Sequence, residues 1–203
     1  NPAPQLQSFP PEPRMNTSYV STVPTYPQLA SLLRAAPGTP WESHLEKSVI
    51  PYLTSVWLRH YRMSLSGGDI VEVPLGQYSY LFDIGPDRLI AAWGISRGRF
   101  AGDRPNSRIA GHPVANRNIY DAGHAISHRL GGGTDINLAA QLASVNRKAF
   151  QELERAAVKS PGSLYFTYWM YHRTEEKKVQ RASRIQQGLI AQNATPQIRD
   201  FKN

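Results

Sequence analysis

The sequence predicts an α+β fold in which a central antiparallel sheet is flanked by helices. An apolar stripe at helical intervals runs from Trp41 to Leu65. Three short strand-like segments follow it, at Ile70 to Pro74, Tyr78 to Ile84 and Leu89 to Ile95, punctuated by glycine and Pro-Asp as in a meander. An aromatic, alternating segment from Leu164 to Arg173 supplies a further strand. A helix followed by a meander, with more mixed elements downstream, fits helices packed on an antiparallel sheet.

Taken in order, the first forty residues hold nine of the sixteen prolines. Proline removes a backbone donor and blocks helix and central strand alike, so 1–40 reads as a linker or arm ahead of a domain at 41–203. Within it, Leu29, Leu32 and Leu33 mark a short helix over Gln28 to Ala36, ended by Pro37-Gly38. The helix at 41–65 carries Leu45, Val49, Leu53, Val56 and Leu58, with a kink expected at Pro51 and a stop at Ser66-Gly67-Gly68-Asp69. Ile119 to Ser127 reads as a strand and Gly131-Gly132-Gly133 as a loop. Leu138 to Val158 reads as one helix, on the stripe Leu138, Leu142, Val145, Ala149, Leu153 and Ala157. Thr174 to Gly188 is charged and reads as helical, and the C-terminus is expected to fray.

The chain has 203 residues, enough to bury a core without staples. It has no cysteine, which excludes disulfides, thiol catalysis and Cys-ligated zinc or iron–sulfur sites. No apolar run reaches the ~18 residues of a membrane span, so no membrane partner is expected. The net charge of +8 favours a polyanion, whether DNA, RNA or an anionic membrane surface; taken alone, it also reads as plain solubility. The chain begins at Asn1 rather than Met, as expected of a processed chain or a piece of a larger one.

Two stretches carry candidate chemistry. Arg97 to Asn118 is short of large apolar residues and holds Arg97, Arg99, Arg104, Arg108 and Arg117 against the single acid Asp103. Downstream, Asp121-Ala122-Gly123-His124 leads through the glycine loop to Asn137, Gln141, Asn146 and Glu154. Side chains alternate along a strand, so Asp121 and His124 need a bend to meet, and Gly123 permits one. A histidine near its ordinary pKa suits water activation at neutral pH. Amides inside an apolar stripe cost free energy unless they are bonded, and an amide oxygen is a ligand type for a hard cation. On pattern alone the same residues also read as a helix cap at Asn137, a solvent-facing Gln141, and surface polar groups at Asn146 and Glu154.

The order Asp-x-Gly-His, then Gly-Gly, then Asn-x3-Gln-x4-Asn-x7-Glu resembles the ββα-metal, or His-Me finger, DNA/RNA non-specific endonucleases. It is most similar to the branch of secreted bacterial nucleases and interbacterial toxins. The good match covers about 89–172; residues 40–88 fit loosely. The resemblance implies a ββα-metal finger at Ile119 to Val158 and an Mg²⁺-dependent (or Mn²⁺-dependent) phosphodiester hydrolase. It assigns His124 as general base, Asn146 as the single protein ligand of the metal, and Glu154 as holder of a metal-bound water. Asn137 would lie near the phosphate or position His124, Gln141 would support the loop, and Asp121 would orient the turn around the histidine. The family's phosphate-contacting arginine follows a core strand upstream, which points to Arg99, then Arg97. Both also read as plain basic surface residues.

The family's usual arginine before Gly-His is Ala122 here, so Arg117 or Arg129 would have to replace that contact. Gly133 stands where the family often has asparagine. The expected substrate is DNA, with RNA as a second class, gripped through phosphates by the Arg-rich segment with Arg147 and Lys148. An acidic immunity or inhibitor protein is the expected partner of such a basic toxin domain, secreted or delivered into a target cell. The alternative is a non-catalytic basic module that coats nucleic acid.

Overall fold

A computed structural model describes residues 7–9, 23–64, 68–102, 119–171 and 181–203. Seven strands form one sheet: β1 (Gln7–Phe9), β2 (Ile70–Leu75), β3 (Tyr78–Asp83), β4 (Arg88–Ile95), β7 (Leu164–Met170), β8 (Arg184–Ile190) and β9 (Gln197–Lys202), in that spatial order. Every neighbouring pair is antiparallel. A second, two-stranded ribbon joins β5 (Tyr120–His124) to β6 (Leu138–Leu142). The helices are α1 (Leu29–Leu32), α2 (Trp41–His44), α3 (Ile50–Ser64) and α4 (Phe150–Lys159). The chain is therefore α+β, with a central antiparallel sheet flanked by helices. Among the described residues no helix is long and apolar enough to cross a membrane.

The two faces of the sheet carry different layers. Leu53, Trp57 and Tyr61 repeat every fourth residue on α3 and are buried. The Trp57 ring meets Trp93, Phe166 and Tyr168 with centroids 5.6, 5.1 and 6.2 Å away. Alternation then sends Tyr165 and Thr167 to the opposite face. There the amide of Gln187, which pairs across from Thr167, donates to the Phe150 carbonyl and the Tyr165 hydroxyl, both at 2.8 Å. This second layer is the ββα unit formed by β5, β6 and α4. Asn203 fastens it to the sheet: its Oδ1 accepts from the Leu142 N–H, and its Nδ2 donates to the carbonyls of Ala140 and Ala182.

Several sequence expectations need correction. Leu138–Leu142 is not the start of a helix but strand β6, in register with β5 from Tyr120↔Leu142 to His124↔Leu138. Its Leu-x3-Leu spacing fits both periods, and pairing decides between them. Arg184–Ile190 is a central strand, although the expectation is a helix over Thr174 to Gly188; residues 174–180 of that span lie outside the described residues. The C-terminus does not fray, because Gln197–Lys202 pairs with β8 along six positions. The short helix covers only Leu29–Leu32. At Pro51, where a kink is expected, the helical run continues into α3, and the irregularity lies just ahead of the proline as a π-helical turn at Leu45–Val49.

Part of the proline-rich stretch is built into the core. Leu29 is buried, the Trp57 indole donates to the Tyr26 hydroxyl at 2.8 Å, and Gln186 donates to the Pro24 carbonyl.

Candidate active site

The ribbon and the helix behind it bring the candidate residues into one unit. β5 ends at His124, which is half-buried and paired across from Leu138. The loop after it carries two 3-10 turns, His128–Leu130 and Asp135–Asn137, before β6 begins. The Asn137 side chain holds that loop shut. Its Oδ1 accepts from the Ile126 N–H at 2.7 Å, and its Nδ2 donates to the carbonyls of Ile126 and Gly133, each at 2.8 Å. The Ala125 N–H also donates to the Asn137 carbonyl. Asn137 is fully buried, so its amide is committed to the chain that leaves His124. Gly132 must be glycine here: a Cβ would sit 1.8 Å from the Ile126 carbonyl oxygen.

Gly123 has a different use from the one expected. β5 stays paired through it, opposite Ala139, and makes no bend. Asp121 and His124 are therefore not brought together by a turn; strand alternation sends them to opposite faces. What Gly123 permits is the passage of Gln141, because a Cβ there would lie 2.2 Å from the Gln141 Oε1. Gln141 is wholly buried rather than solvent-facing, and neither of its amide atoms has a hydrogen-bond partner among the described residues.

Asn146 lies in a π-helical turn, Val145–Ala149, that opens into α4. Its Nδ2 donates to the Asp121 Oδ2 at 3.0 Å. The guanidinium of Arg147 grips the same carboxylate, with Nε on Oδ2 at 3.0 Å and Nη2 on Oδ1 at 2.7 Å. That fork, with the Asn146 bond, holds the Asp121 carboxyl below the usual carboxylate range. Along α4, Phe150, Leu153, Glu154 and Ala157 form the buried stripe. Burial pushes the Glu154 carboxyl up to about 8, and the positive charges of Arg129 and Arg155 offset only part of that rise. Glu154 also raises the Tyr165 hydroxyl on the sheet beneath, adding to the larger effect of burial.

The arginines are divided. Arg97 is exposed and paired with Glu42 at 2.6 Å, so it faces α2. Arg99 is exposed, and Phe100 next to it ties the segment to the finger: its N–H donates to the Arg129 carbonyl at 2.8 Å. The Phe100 ring meets the His128 ring edge-on at 5.6 Å. Arg117, with Arg104, Arg108 and His112, lies outside the described residues.

Two residues emerge with more prominence than sequence reasoning gave them. Arg129 had stood only as a substitute contact, and Arg147 only as one of several cations. The signal for Arg147 was its place directly after Asn146, with Asp121 the only acid in the strand opposite. Among the described residues no group of three or more His, Cys, Asp or Glu could hold a metal ion. A cation in this unit would take the Asn146 amide oxygen, which the Asp121 bond leaves unused.

No protein-family model matches the chain, and no curated protein is detectably similar to it in sequence. Among solved structures, the crystal structure of the EndoG/EndoGI complex, described under the mechanism of EndoG inhibition, is similar at a TM-score of 0.41 and 12% identity. The likeness covers 64% of this chain and 72% of that one.

Proposed function

We propose that the ββα unit is the catalytic module of a divalent-cation-dependent, sequence-nonspecific endonuclease that hydrolyses phosphodiester bonds of DNA, with RNA as a second substrate class. One observation carries the reading: Asn146 is bonded to β5, the same short strand that ends in His124. The amide is thus tied through Asp121 to the strand that carries the imidazole at its end, with Asp121 and His124 on opposite faces of that strand, and a fully buried loop residue braces the chain beyond it.

The donor set fits Mg²⁺ or Mn²⁺. Mg²⁺ keeps several of its waters and takes one or two protein oxygens, so a single amide suffices. A buried carboxyl held protonated, as at Glu154, is where a nearby cation's charge would be felt most. When bound, the ion would neutralise charge developing on the phosphate and its leaving oxygen. The chain's own residues do the rest. His124 accepts the proton of the attacking water. Asn137 fixes the backbone that leaves His124. Glu154 offers its oxygens to a water beside Asn146. Arg99 and Arg129 supply positive charge near the phosphate, and the Arg-rich segment including Arg117 holds the backbone without reading bases.

The test is plasmid nicking with and without Mg²⁺. His124→Ala is expected to lower turnover by about 10²–10⁴-fold, the usual worth of a positioned general base, while DNA binding persists. Asn146→Ala and EDTA are expected to abolish cleavage. Salt-sensitive binding with no Mg²⁺-dependent nicking by the wild-type chain would leave the basic binding module as the better reading.

The net charge of +8 and the proline-dense first forty residues support a further step: a domain delivered into a target cell as a toxin and held in check by an acidic inhibitor protein. Growth arrest on cytoplasmic expression, relieved by co-expressing such an inhibitor, would test it.

A further inference from the structure

Resting on that reading of the site, we propose that Asp121 and Arg147 form a clamp that sets the orientation of the Asn146 amide, with Asp121 as a positioning residue for the cation-binding oxygen and Arg147 as the mask that keeps Asp121 itself from binding. Three observations carry this.

First, an asparagine amide rotates almost freely about its last torsion, and its two ends look alike to the backbone. A cation accepts only the oxygen. Asp121 has no proton to give, so its carboxylate takes the nitrogen end, at 3.0 Å, and the oxygen end is turned the other way. The bond selects the one orientation that a cation can use.

Second, the carboxylate is largely occupied. Oδ2 accepts from both Asn146 and the Arg147 Nε, while Oδ1 accepts from the Arg147 Nη2. An ionised carboxylate beside an amide oxygen is the stronger ligand for a hard cation. The bidentate fork answers this by occupying one lone pair on each oxygen and offsetting its charge.

Third, the pair is only partly covered. The Arg147 side chain is 65% exposed against 20% for Asp121, so the fork contributes modestly to folding at most. A fork maintained at such a place, on consecutive residues with the amide it orients, is better explained by what it does to that amide.

The test measures Mn²⁺ binding to the full chain without nucleic acid, by titration calorimetry and by the electron-spin signal of free Mn²⁺. Asp121→Ala should weaken Mn²⁺ affinity by about tenfold or more, as outer contacts to a metal ligand generally do. Asp121→Asn can donate as well as accept, so it no longer forces the nitrogen end of Asn146 toward β5 and should recover only part of that affinity. Arg147→Ala unmasks the carboxylate and should tighten Mn²⁺ binding. A merely structural ion pair would instead move Asp121→Ala and Arg147→Ala in the same direction, in step with their melting temperatures. That result, or unchanged Mn²⁺ affinity in Asp121→Ala, overturns the positioning role. Unchanged or weakened affinity in Arg147→Ala overturns the masking role. The outcomes separate from those of the nuclease reading. A wild-type chain that neither binds Mn²⁺ nor nicks DNA removes that reading, whereas an Asp121→Ala chain indistinguishable from a wild type that does both removes only the clamp.

Discussion

The two faces of the central sheet differ in how much polarity they bury, although the α3 side also holds one buried carboxyl, Asp83, which accepts from the Tyr61 hydroxyl. Toward α3 the contacts are rings: Trp57 against Trp93, Phe166 and Tyr168, none of them significantly exposed. Toward the ββα unit the buried positions include Asn137, Gln141, Glu154, Thr167 and Gln187. Apolar burial is favourable without further conditions, whereas each buried polar group costs free energy until it is paired. Several on the finger side are paired in full, as Asn137 is. Others are left in deficit, as Gln141 is with both amide atoms unpartnered among the described residues and Glu154 is with its carboxyl held protonated by burial. One face therefore supplies stability. The other uses part of it to hold polar groups where solvation alone would not put them, which is the pattern expected of a site that does chemistry.

Perturbing each face in turn should separate the two roles. The largest loss of stability is expected on the ring face. Trp57→Ala removes the ring that contacts Trp93, Phe166 and Tyr168 and should cost about 3–5 kcal/mol in urea unfolding. The site geometry of the molecules still folded should be unchanged, so nicking per folded molecule should persist.

Glu154 gives the next effect, and it depends on pH. Its folded-state value of about 8 lies above the 4.5 of an ordinary glutamate, so between these two values the folded chain keeps a proton that the unfolded chain has released. Stability is therefore full below pH ~4.5 and falls as pH rises toward 8, with a limiting slope of ~1.4 kcal/mol per pH unit from this group. Glu154→Gln should remove that slope in metal-free buffer. Urea midpoints measured at pH 5 and pH 8 check it, and an identical pH dependence in the variant and the wild type would mean that the carboxyl is not held protonated.

What could be read in advance follows the same division. The ring face was legible because its signal is local: Leu45, Val49 and Leu53 recur at helical spacing, and glycine and Pro-Asp mark the ends of β2, β3 and β4. The order from Asp121 to Glu154 was legible as a pattern of spacing. Its geometry was not, because that geometry rests on partners distant in sequence. Asp121 meets Arg147, and Arg97 turns to Glu42. β8 was misread for the same reason: a strand containing Gln186 and Gln187 looks solvated until Pro24 and Asp200 accept from the Gln186 amide and Phe150 and Tyr165 from that of Gln187. β6 was misread because five residues are too few to distinguish a period of 2 from one of 3.6 when pairing with β5 settles the matter.

The smallest of these effects on stability, and the most informative about the finger, is expected at Asn137. Replacing it by alanine strands the Ile126 N–H, the Ile126 carbonyl and the Gly133 carbonyl in a loop that water does not readily enter. One stranded buried group costs about 1–3 kcal/mol, and partial relaxation of the loop should keep the total near 2 kcal/mol. That is less than the loss of Trp57, yet the damage falls on the residues immediately after His124. Asn137→Ala should therefore lower cleavage far more than its change in unfolding free energy requires, with Mn²⁺ affinity nearly intact because Asn146 remains bonded to Asp121. Asn137→Asp separates shape from bonding: it keeps the acceptor for the Ile126 N–H but loses the two donated bonds. If Asn137→Ala were to nick plasmid as fast per folded molecule as the wild type, the loop would not be what places the imidazole, and the polar investment on this face would have to be explained by folding alone.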